Sequence, residues 1–70
     1  MDTRMSARLR EAKWDCYCGR WASAAWGLAH VLSCANKLPD GPEKTELMAA
    51  RAVVSDYCVE TFRRRCREPT

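Results

Sequence analysis

His30 is the only histidine in the chain, and Cys34 stands one helical turn after it. A thiol beside an imidazole at positions i and i+4 has two ingredients of an activated nucleophile. The third is missing, because the helical neighbours of His30 are Trp26, Gly27, Val31 and Cys34, with no carboxylate to orient the ring. A histidine packed against small residues is the plainer expectation. Four further cysteines, Cys16, Cys18, Cys58 and Cys66, make five, a number that cannot pair completely within one chain. Free thiols in a reducing cytoplasm are expected, with a Cys16 to Cys66 bond possible. Cys16 and Cys18 lie about 200° apart around a helix, so they cannot hold one ion from one face. No metal site, cofactor or catalysis is expected, and no phosphate loop or dinucleotide fingerprint occurs.

The stronger chemical signal is cationic. Lys and Arg number 12 against 9 acids, for a net charge of +3, and nine of the cations are arginine. Arginine makes bidentate contacts with carboxylate and phosphate that lysine cannot. Arg4, Arg8, Arg10 and Lys13 open the chain, whereas Arg63, Arg64, Arg65 and Arg67 close it. On a helix, Arg10, Lys13, Tyr17 and Arg20 share a face that sets an aromatic ring among cations. These ten residues are the expected contact surface for a carboxylate-rich host protein or, as second choice, for nucleic acid.

The elements that must position them are helices. Seventy residues form one domain at most, and so short a chain is marginally stable without help from disulfides, metal or self-association. The clearest punctuation is Leu38-Pro39-Asp40-Gly41-Pro42, where Pro39 disfavours helix before it and Asp40 or Gly41 can cap a helix starting at Pro42. Upstream, Trp14, Cys18, Trp21, Ala25, Leu28, Leu32 and Ala35 follow a 4-3 rhythm that predicts one helix from about residue 3 to 37. Downstream, Leu47, Ala50, Val54, Tyr57 and Thr61 predict a second from about 42 to 67. A short turn at 38–42 makes the pair an antiparallel two-helix hairpin, with both arginine clusters at one end.

That hairpin carries more apolar surface than it can bury. Met48, Ala52, Val59, Phe62 and Cys66 form a second stripe on the downstream helix, and Trp26 lies about 140° around from Trp21. A soluble single copy rarely leaves such a patch in water. The expected cover is a second copy, giving a four-helix bundle. Gly19, Ser23 and Gly27, recurring every fourth residue, would permit close helix approach. The expected dimer interface is therefore Gly19, Ala22, Ser23, Trp26, Gly27, Ala29, Val59 and Phe62. Two targeting patterns fit poorly. Val31-Leu32-Ser33-Cys34 resembles a lipoprotein cleavage box, but Glu11 and Asp15 sit where a leader should be cationic. Arg20 and His30 bound an apolar run too short to span a membrane.

In outline, the Asp40-Gly41-Pro42 turn, doubled apolar stripe and arginine-rich ends resemble small dimeric regulators encoded by bacteriophages and plasmids. Two such families are the plasmid RNA-binding hairpin proteins of the Rop type and the quorum-sensing anti-activators of Mu-like Pseudomonas phages. The second binds host transcription regulators and a pilus motor protein. The resemblance implies a homodimeric inhibitor or adaptor acting on a regulatory protein in the bacterial cytoplasm. The Rop type implies instead an RNA-binding hairpin.

Overall fold

Gly19 stops the first helix in the middle of the predicted one. A computed structural model describes residues 3–67 as three helices: α1 (Thr3–Tyr17), α2 (Trp21–Asn36) and α3 (Pro42–Arg67). The chain is all-α, with no strand among the described residues.

The break between α1 and α2 has a clear backbone cause. Gly19 has φ +83°, the left-handed region that a side chain disfavours. Its N–H donates to the Cys16 carbonyl at 3.1 Å, and the Arg20 N–H donates to the Asp15 carbonyl at 2.8 Å. These two bonds make a Schellman C-cap, which closes a helix on its own last carbonyls. The Asp15 side chain then ties the turn to both flanks. Arg20 Nε donates to Oδ1 at 3.0 Å and Ser23 Oγ donates to Oδ2 at 2.7 Å. These bonds, the Ser23 hydroxyl first and the Arg20 guanidinium second, hold the Asp15 carboxyl below the usual carboxylate range.

The chain therefore reverses at Gly19 and again at the predicted turn, so that two short helices pack along one long one. Gly41 caps α3, its carbonyl accepting the Thr45 N–H at 3.1 Å, with Pro42 as first helical residue. Asp40 pairs with Lys44 Nζ at 3.4 Å. At 26 residues α3 spans about 39 Å, enough to back both α1 and α2 within a rod 46 Å long. α2 is antiparallel to both neighbours; α1 and α3 run parallel.

The core follows from this topology. Leu9, Ala12 and Cys16 of α1 meet Ala24, Leu28, Val31 and Ala35 of α2 and Leu47 and Cys58 of α3. Ala50, Val54 and Tyr57 pack against it, as the downstream stripe predicts. The upstream rhythm misleads: Trp14 is 60% exposed, and Cys18 is exposed in the turn. Parallel α1 and α3 also bring Cys16 level with Cys58, not Cys66. Cys16 and Cys58 form a disulfide with Cα atoms 5.4 Å apart, leaving Cys18, Cys34 and Cys66 as thiols. The expectation of five free thiols is corrected on that point, and small domains often need such a staple.

Candidate interaction surface

The outward side of α1 presents the most concentrated chemistry. Trp14 and Tyr17, 60% and 58% exposed, stack with ring centroids 5.5 Å apart and planes 21° from parallel. Across the α1–α3 seam, Lys13 Nζ lies 5.1 Å over the Tyr57 ring. Together with Arg10 these residues line a groove of about 260 Å³. The flat aromatic floor has cations at its side, the composition of an interface hot spot. Arg10, Lys13 and Tyr17 were expected together; Trp14 and Tyr57 were not. Trp14 was drawn into the core by a rhythm that runs on across Gly19. The competing stripe of Met5, Leu9, Ala12 and Cys16 was the signal that would have turned it outward.

The two arginine clusters do not meet. Reversal at Gly19 carries Arg4 and Arg8 to the end where Glu43 and Leu47 begin α3, and these four line one groove. Arg63, Arg64, Arg65 and Arg67 lie at the opposite end, beside the α1–α2 turn. The expected single basic end is thus split along the rod.

Several of these cations serve the fold. Arg65 donates to the Tyr17 carbonyl, satisfying a helix-terminal acceptor, and lies 5.6 Å over the Trp21 ring. Arg20 clamps Asp15, while Arg64 and Arg67 each lie 3.9 Å from Glu60 Oε1. Arg8 is 4.0 Å from Glu11 and 5.8 Å over Trp26.

The expected dimer residues also divide. Gly19 forms the C-cap, Ser23 bonds Asp15, and Gly27 is buried where an added Cβ would stand 3.6 Å from Ala12 Cβ. Their small size serves contacts within the chain. Trp26, though exposed, stacks on His30 toward the α1 edge. Ala22, Ala29, Val59 and Phe62 remain on the outside with Ala25, Met48 and Ala52. Phe62 meets Trp21 edge-on at 5.1 Å, which brings the second α3 stripe alongside α2. These exposed apolar side chains lie along α2 and α3, on either side of a seam where Arg51 Nε donates to the Leu28 carbonyl at 2.9 Å.

No group of three or more His, Cys, Asp or Glu among the described residues could hold a metal ion. No described helix is long and apolar enough to cross a membrane. Compared with known protein families, curated proteins and solved structures, the chain matches none.

Proposed function

We propose that the protein is a homodimeric inhibitor or adaptor that grips a carboxylate-bearing surface of a regulatory protein, such as a bacterial transcription regulator. The observation that carries this reading is the exposed Trp14–Tyr17 stack framed by Arg10, Lys13 and Tyr57. Large rings held in place lose little entropy on binding, and neighbouring cations give orientation. The α2–α3 face supplies the homodimer contact through Ala22, Ala25 and Ala29 against Met48, Val59 and Phe62. The expected place of action is a host cytoplasm, where reduction of the Cys16–Cys58 bond would remove its share of the stability.

Nucleic-acid binding is the second reading, since bases also stack on exposed rings beside cations. It is disfavoured because Arg65, Arg20, Arg64 and Arg67 are engaged within the chain and the arginines do not gather at one end. The test is affinity capture from bacterial lysate beside a low-salt mobility-shift assay. The wild-type chain should recover one discrete protein that Trp14→Ala/Tyr17→Ala loses, and should retain neither DNA nor RNA. Equal recovery by both chains would refute the aromatic surface, while salt-sensitive retention of nucleic acid would favour the second reading.

A further inference from the structure

A second constellation lies on the other side of α1, in a groove between α1, α2 and the start of α3. Arg4, Met5, Ala7, Arg8 and Glu11 of α1 face His30 and Cys34 of α2, with Leu38, Glu43 and Leu47 closing the end. Cys34 Sγ stands 3.7 Å from His30 Nε2, within reach of a sulfur hydrogen bond. The imidazole is not loose. It stacks on Trp26 with planes 10° apart and centroids at 5.8 Å, and the Arg8 guanidinium lies 5.8 Å over the same indole. The guanidinium and the imidazole both lie against the indole, and the imidazole Nε2 is the ring nitrogen near the thiol. The groove holds about 640 Å³, within the roughly 300–1,000 Å³ of small-molecule sites. Its charged lining has both signs, Arg4 and Arg8 against Glu11 and Glu43.

We propose that Cys34, with His30 as its base, is a thiol-modification site that takes a small zwitterionic disulfide of the glutathione class. His30 Nε2 accepts the Sγ proton, and the thiolate attacks one sulfur of the disulfide. A new S–S bond to Cys34 forms as the old one breaks. The departing half leaves as a thiolate and takes the proton back from His30. Cys34 is oxidised to a mixed disulfide, the leaving half is reduced to a thiol, and no other oxidant is required. Arg8 and Glu11 pair at 4.0 Å on the lining, and a reagent that carries both carboxylate and ammonium groups can exchange with such a pair.

Exposure alone predicts the opposite order of reaction, since Cys18 and Cys66 are exposed while Cys34 is half-buried. The test treats the oxidised wild-type protein with limiting glutathione disulfide at neutral pH, quenches in acid and maps the modified peptide. Cys34 should be modified first; modification of Cys18 or Cys66 ahead of it would overturn the proposal. In a Cys18→Ser/Cys66→Ser chain the rate should fall at least about tenfold on His30→Gln, from the loss of a positioned base. It should fall similarly when the unsubstituted-His30 chain is unfolded in guanidinium, a comparison that holds even where His30→Gln does not fold. Equal rates folded and unfolded would refute the dyad. Against an uncharged hydroxyethyl disulfide, only the folded chain should gain preference for the glutathione reagent; equal preference in both states would reject that class of co-reactant.

Discussion

Asp15 shows how much of the turn rests on one side chain. Its two oxygens accept from Arg20 and Ser23, so the carboxylate joins α1, the turn and α2. Because these bonds favour the charged form, the folded state holds Asp15 ionised at a lower pH than the unfolded chain does. Its contribution is therefore present at neutral pH and disappears as pH falls through the lowered folded value. Asp15→Asn should be less stable than wild type in urea at pH 7, and the difference should narrow steadily into the acid range. A difference that stays constant with pH would mean the ionised carboxylate is not what holds the turn. Asp15 was legible in the sequence only as an acid out of place in a leader peptide. Its role depends on Gly19, since without the chain reversal neither Arg20 nor Ser23 can fold back on it.

At the scale of elements, α3 was readable and α1–α2 was not, for one reason. Pro39, Gly41 and Pro42 are signals that stop or start a helix by covalent geometry, so the second boundary could be placed from residue types alone. A single glycine is ambiguous, because it serves equally as a C-cap or as a point of close helix contact. Gly27 is the second kind and Gly19 the first, although both sit on the same four-residue spacing. Gly19→Ala should cost about 1–2 kcal/mol from the left-handed backbone, measured by urea unfolding. The contact with Arg65 Nη1, 3.0 Å from the added Cβ, adds little because the guanidinium end can shift. No loss of stability would place Gly19 inside a continuous helix. The same reversal makes α1 parallel to α3 and pairs Cys16 with Cys58 across 42 residues. By loop-closure entropy, that bond should contribute about 4 kcal/mol. Cys58→Ser should lower stability by about 2–4 kcal/mol, whereas Cys66→Ser should leave it nearly unchanged. The reverse ranking, seen in denaturant midpoints, would restore the hairpin register.

For the whole molecule, apolar side chains remain exposed on the three-helix chain. Three helices cover one another better than two, yet Met48, Val59 and Phe62 stay 36%, 46% and 47% exposed on a single chain. Gly19, Ser23 and Gly27 drop out of the shared face because contacts within the chain use them. The exposed apolar side chains include those of an aromatic and cationic groove on α1 and of a strip along α2 and α3 whose seam carries Arg51, with Trp26 and Val53 outside both. The proposed function gives the strip to a second copy and the groove to a partner, and sedimentation velocity at micromolar concentration tests that proposal most directly. The wild-type chain should sediment as a dimer, Val59→Glu as a folded single chain, and Trp14→Glu as a dimer still. A wild-type protein that sediments as one compact chain, or a dimer broken by Trp14→Glu and kept by Val59→Glu, would contradict the account.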